Sequence, residues 1–158
     1  MSSDWHTLTS QKLFLAETLI KISQQAPDRG TGEATLQGAI ELTLRARKSL
    51  LSAIAQHYQH KSARPESLEE LQGLIGKEAP ETVQLEAIAH QTGSWWNHLD
   101  QLETSQGKPP SKKKTITEDN IIAVAIDTGP DRSATSLANS LAAMKRYLTT
   151  LTERHDEW

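Results

Sequence analysis

Apolar residues recur at helical spacing along almost the whole chain, and this periodicity is the strongest constraint on the fold. In the stretch from about Ser133 to Asp156 they follow one another by four and three residues, at Leu137, Leu141, Met144, Leu148 and Leu151. A helix brings such positions to one face, whereas a strand would need alternation every two residues. The spacing therefore predicts an amphipathic helix with a buried heptad seam, which His155 and Trp158 continue.

The same periodicity predicts three more long helices, at residues 4–25, 33–60 and 80–105. Ser67 and Glu70 form a capping box that opens a short helix, and Gly76 is placed to end it. We therefore expect an all-α fold in a single domain, residues 1–158. Its predicted architecture is an antiparallel bundle of four long helices plus one short helix.

The segment around 115–128 is the exception to the helical pattern. The β-branched run Ile121–Ile126 favours extended chain, but no partner strand is visible. The preceding Lys112–Lys114 has the composition of a solvated loop. We expect an extended or irregular segment with at most one very short strand.

Composition excludes several classes of function. The net charge is −3, so no global basic field attracts nucleic acid, which we regard as an unlikely partner. The absence of cysteine excludes disulfides, thiol catalysis and cysteine-ligated metal centres. The longest apolar run has six residues, so we expect no membrane span. Met1–Trp5 lacks the features of a signal peptide, and we expect a cytoplasmic protein.

No pattern of metal ligands or catalytic groups is visible. No histidine follows a glutamate by three residues, as di-iron bundles require. His57 and His60 are one helical turn apart, but they supply only half of a zinc site. We expect no tightly bound metal and no cofactor, we nominate no catalytic residue, and the sequence identifies no ligand.

Arg47 interrupts the apolar face of the second long helix. A buried guanidinium needs a carboxylate or carbonyl partner, and Glu103, in line with the apolar face of another helix, is one candidate. Arg47 is then either a structural ion pair or part of a ligand cleft. His57 lies at the flank of the same apolar face, so Arg47 and His57 are the candidate binding residues.

Phe14 is the opposite anomaly, an aromatic residue that faces away from the apolar side of its helix. That apolar side is predicted to include Leu15 and Ile22. Either the segment Ile121–Ile126 covers Phe14, or Phe14 marks a contact with another chain. Phe14 and Trp158 are accordingly the candidate interface residues, for a protein partner or for a homo-oligomer.

The chain also resembles known families. The stretch Thr35–Leu51, the segment Ile121–Ala125 and the final Glu157–Trp158 together resemble a family of small bacterial proteins of unknown function. That resemblance implies a helical fold and no known activity. More distantly, the long second helix is similar to those of HEPN (higher eukaryote and prokaryote nucleotide-binding) bundles.

Active HEPN members carry arginine, four to six residues, then histidine. No arginine of this chain has histidine at that spacing. The similarity therefore implies at most a module that binds nucleotide or RNA without ribonuclease activity. We interpret the chain as a non-enzymatic accessory or protein-interaction bundle of bacterial origin, with the HEPN-like module as the alternative.

Overall fold

Six helices make up most of the chain that the computed structural model describes, namely residues 3–109, 112–116, 122–126 and 129–156. They are α1 (Asp4–Gln24), α2 (Arg29–His57), α3 (Leu68–Ile75), α4 (Pro80–His90), α5 (Trp95–Gln106) and α6 (Ala134–Asp156). The helical fold class is thus confirmed. Within these described ranges, no helix combines the length and the apolar character needed to cross a bilayer.

The turn between α1 and α2 is shorter than predicted because Asp28 caps α2. Its carboxylate accepts hydrogen bonds from the Thr31 N–H, at 2.7 Å, and from the Thr31 hydroxyl, at 2.9 Å. Glycine has a low helix propensity, and the hydrogen bonds of the Asp28 cap offset this cost, so that Gly30 and Gly32 lie within the first turns of the helix. The helix therefore begins at Arg29, four residues before the predicted start.

The predicted long helix over 80–105 is divided into α4 and α5, so the expectation of four long helices was wrong. Gly93 between them has a φ of +82°, and the Ser94 hydroxyl caps α5 by accepting from the Asn97 N–H. The structure has three helices of 21, 29 and 23 residues and three of 8, 11 and 12 residues.

The core forms around α2, which packs against α1, α6, α3 and α5. The predicted helix end at Gly76, with a φ of +91°, is confirmed, as is the Ser67 cap of α3. All five positions of the predicted seam in α6 are buried, and Trp96 of α5 is only 4% exposed. The heptad pattern in α6 therefore identified true core residues.

Residues 112–116 and 122–126 form two antiparallel strands, so the expectation of at most one very short strand was wrong. Strand β1 (Lys112–Ile116) pairs with β2 (Ile122–Ile126) in a register that places Lys114 opposite Val124. The extended conformation predicted for 115–128 is confirmed at 115–116 and 122–126, and the other residues lie outside the described ranges. The partner strand was missed because lysine is uncommon in strands.

Candidate functional site

A cleft of 320 Å³ lies where the first turn of α1 meets the C-terminal ends of α2 and α6. Three histidines line it, His6 from α1, His57 from α2 and His155 from α6, and we call it the histidine cleft. The Nε2 atom of His6 contacts the hydroxyl of Thr152, which also lines the cleft. The predicted candidate His57 thus lies beside two histidines that are distant in the sequence.

His57 and His155, which both line the cleft, are stacked face to face. Their ring centroids are 3.4 Å apart and their planes differ by only 2°. Burial, followed by the proximity of His57, lowers the pKa of His155 below its usual value. Two protonated imidazoles would repel each other at this distance, and this proximity adds to burial in favouring the neutral form of His155.

Behind the stacked rings lies Glu81 of α4, a carboxylate that is 1% exposed. Its Oε2 accepts from the Tyr58 hydroxyl at 2.5 Å, and its Oε1 lies 3.1 Å from Nη1 of Arg154 and 3.4 Å from Nε2 of His155. Burial alone would raise the pKa of Glu81, but the Tyr58 hydroxyl, the backbone N–H of Glu81 itself, Arg154 and His155 together lower it below its usual value. The charge of this buried carboxylate is therefore fully compensated by side chains from α6 and from the end of α2.

The same buried cluster affects two tyrosines. Burial, and then the hydrogen bond to Glu81, raises the pKa of the Tyr58 phenol to about 12. Burial also raises the pKa of Tyr147, whose hydroxyl has no hydrogen-bond partner among the described residues. Both phenols are therefore protonated at neutral pH. Tyr58 can then act only as a donor towards the ionised Glu81.

Sequence reasoning missed Glu81, although a signal was present. Glu81 precedes Leu85 by four residues and Ile88 by seven, so it lies on the apolar face of α4. A carboxylate at such a position needs a cationic partner in the folded state. Its partners could not be found by spacing, because Arg154 and His155 are more than 70 residues away in the sequence.

Arg47 is not in the histidine cleft. Its guanidinium binds Oδ1 of Asp100 and Oε2 of Glu103, each at 2.6 Å, and lies 4.7 Å from the centre of the Trp96 ring. Its side chain is 7% exposed, whereas those of Asp100 and Glu103 are 52% and 47% exposed. Glu103 was the partner that the helix angles suggested, and the structure adds Asp100 and the ring of Trp96.

Phe14 lies on the outer face of α1 and is 67% exposed, so the described chain does not cover it. Leu15 and Ile22, predicted to be on the buried side, are 47% and 45% exposed. The buried side of α1 consists of Thr9, Leu13, Ala16 and Ile20, so the predicted face was right for Ala16 and Ile20. The other candidate interface residue, Trp158, lies outside the described residues.

Three or more histidine, aspartate or glutamate side chains do not come together in a metal-binding arrangement anywhere in the described ranges. In the histidine cleft, the imidazoles of His57 and His155 stack on each other instead of converging on a common point. What the cleft offers chemically is three imidazoles beside the hydroxyl of Thr152.

Comparisons with known proteins place the chain in a family. No curated protein and no solved structure matches it. The model of one family, described as a family of unknown function, matches the chain over its whole length. The protein, across residues 1–158, therefore belongs to the family of unknown function DUF6586.

Proposed function

We propose that this protein is a non-enzymatic accessory protein that acts by binding another protein chain through the outer face of α1. The observation that carries the proposal is the exposure of Phe14, at 67%. Single exposed apolar residues are common on protein surfaces. Phe14, Leu15 and Ile22, however, lie within about 100° of one another on one helix, where 3.6 residues complete a turn. We call these three residues the α1 patch.

The arrangement of the α1 patch suits a second copy of the same chain. A twofold axis passing close to Thr18 would place Phe14, four residues before it, against Ile22 of the copy, four residues after it. The same axis would place Leu15 against the aliphatic stem of Lys21. Such a contact is self-complementary, as twofold interfaces require. We therefore propose an antiparallel α1–α1 contact as the interaction.

The contact should be weak, because three side chains contribute less area than the roughly 800 Å² per partner of a stable complex. Sedimentation equilibrium over a wide concentration range tests it. We expect the wild-type mass to rise from the 17.5 kDa of one chain towards twice that value. Phe14→Asp should remain monomeric. Val83→Asp is the matched control, since Val83 is an exposed apolar residue, at 52%, on α4.

Two results would contradict the proposal. The first is a wild-type protein that remains monomeric at every concentration, which would mean that the α1 patch does not bind a second copy. The second is equal loss of association in Phe14→Asp and Val83→Asp, which would mean that the added charge acts without regard to position.

The HEPN-like alternative depended on a cleft shared by Arg47 and His57. Arg47 binds Asp100 and Glu103, whereas His57 stacks on His155 in the histidine cleft. Arg47 and His57 therefore do not line one shared cleft, and their positions do not support a HEPN-like binding site formed by both. His57 remains a proposed binding residue of the histidine cleft. For Arg47 we propose a structural ion pair.

A further inference from the structure

A second concave surface, a groove of 420 Å³, runs between α1, α2 and the connection from α2 to α3. Four cationic side chains line it, Lys12 from α1, Arg45 and Lys48 from α2, and Arg64 from the connection. We call it the basic groove. It is distinct from both the histidine cleft and the α1 patch.

Helical spacing explains why these residues meet. On α1, Trp5 and Leu8 line the groove together with Lys12, at intervals of three and four residues. On α2, Arg45, Lys48, Ser49 and Ser52 line it and occupy positions i, i+3, i+4 and i+7, which share one face of a helix. The groove is therefore the seam between two helix faces, and the connection that carries Arg64 also lines it.

The cations of the groove have few partners of their own. Within residues 3–109 and 129–156, Lys12, Arg45 and Arg64 form no ion pair. Lys48 is 4.0 Å from Oε1 of Glu103, a carboxylate already bound by Arg47 at 2.6 Å.

Among the described lining residues, only Glu66 is acidic. Four cations gathered around one carboxylate, in a chain of net charge −3, repel one another, and an anion in the groove would relieve that repulsion.

Two serines of α2, Ser49 and Ser52, line the groove beside its cations. Ser52 is 3% exposed, and its hydroxyl takes part in no hydrogen bond within the described part of the chain. The Ser52 oxygen is not one of the buried side-chain atoms that lack a hydrogen-bond partner, so it reaches the open groove and is accessible to a ligand there. The guanidinium of Arg64 lies 5.5 Å from the centre of the Trp5 ring, and both residues line the groove.

We propose that the basic groove binds the phosphate group of a small phosphorylated ligand. Arginine forks bind phosphate oxygens in pairs, lysine adds a point charge, and the Ser52 hydroxyl can donate to a further oxygen. The volume lies in the range of small-molecule pockets, so a ligand of mononucleotide size fits better than a long nucleic-acid strand. This inference is independent of the proposed α1–α1 contact, since it uses no residue of the α1 patch.

The test is titration calorimetry at low ionic strength with inorganic pyrophosphate, adenosine 5′-monophosphate and adenosine as probes. We expect saturable binding of the two phosphates and none of adenosine. Arg45→Gln combined with Arg64→Gln should weaken phosphate binding by at least about tenfold, because two charge-assisted contacts are lost. Both arginines are exposed, so the double variant should fold, which circular dichroism checks.

The matched control is Arg146→Gln, which neutralises an exposed arginine of α6 that lies outside the groove and should leave binding unchanged. The proposal is overturned if neither phosphate binds the wild type, or if Arg146→Gln weakens binding as much as the double variant. It is equally overturned if adenosine binds as well as adenosine 5′-monophosphate. Binding of a single-stranded RNA without binding of pyrophosphate would also overturn it, in favour of a nucleic-acid surface.

Discussion

Neutralising the two carboxylates that bind Arg47 should destabilise the protein more than removing Arg47 itself. The asymmetry arises from burial, because the guanidinium side chain is 7% exposed while those of Asp100 and Glu103 are 52% and 47% exposed. In Arg47→Met both carboxylates remain, and water can solvate them. In Asp100→Asn combined with Glu103→Gln, a buried guanidinium keeps its charge but loses both anionic partners.

The magnitudes follow from that difference. A buried charge left without its partner typically costs 3–5 kcal/mol, and the remaining amide oxygens reduce the loss, so we expect about 3 kcal/mol for the double variant. Methionine keeps much of the packing of the arginine stem against Trp96, and half-exposed ion pairs contribute little. We therefore expect a loss of about 1 kcal/mol for Arg47→Met.

Urea denaturation measures both losses. With a slope of about 2 kcal/mol per molar urea, the midpoint should fall by about 1.5 M for the double variant and by about 0.5 M for Arg47→Met. Glu78→Gln combined with Glu153→Gln is the control, since it neutralises two exposed glutamates that form no ion pair with a described residue. Equal shifts for the two test variants, or a larger shift for Arg47→Met, would refute the reasoning from burial.

Three further predictions concern the buried cluster and the break between α4 and α5. Glu81→Gln should lower the free energy of unfolding by about 3 kcal/mol in urea denaturation, because Arg154 loses its buried counter-charge; an unchanged midpoint would contradict this. Because the pKa of His155 is lowered in the folded state, the unfolded chain binds a proton at this residue more readily. The contribution of His155 to the free energy of unfolding should therefore be fully present above pH 6.5, its usual pKa, and should be lost as pH falls below that value. Melting temperatures compared from pH 8 to pH 5 should fall less for His155→Gln than for the wild type. Gly93→Ala should lower the free energy of unfolding by about 1 kcal/mol in the same urea assay, because Gly93 has a φ of +82°. A β-carbon at Gly93 would meet no atom within 4 Å, so backbone strain is the only cost. The control Gly73→Ala, inside α3 with similar free space, should stabilise the protein instead.

The helices of this fold could be predicted from the sequence where local signals suffice. The Ser67 cap, the end at Gly76 and the seam of α6 all depend on residues within a few turns of one another, and the structure confirms them. The break at 91–94 was missed because the apolar stripe continues in phase across it, from Leu85 to Leu99. Periodicity alone does not distinguish one long helix from two short ones that bury the same face.

The candidate site was predictable only in part. Arg47 was identified because a charge on an apolar face needs a partner, and Glu103 was found from the same helix angles. The histidine cleft could not be assembled in this way, since His6, His57 and His155 come from three elements whose relative placement is a matter of tertiary packing. The outward exposure of Leu15 and Ile22 likewise depends on which side of α1 the other helices cover.

The contacts of α6 have a consequence for the order in which the chain can fold during synthesis. The carboxylate of Glu81 acquires its cationic partner only 73 residues later, at Arg154, and the contact of His6 with Thr152 spans 146 residues. The α1–α2 pair, by contrast, can form as soon as its own residues have left the ribosome. In a nascent chain lacking α6, Glu81 would therefore lack its cationic partner and keep only the Tyr58 hydroxyl as a side-chain donor, and one flank of α2 would be uncovered. The core is therefore complete only when α6, which follows the other described helices in the chain, has been added.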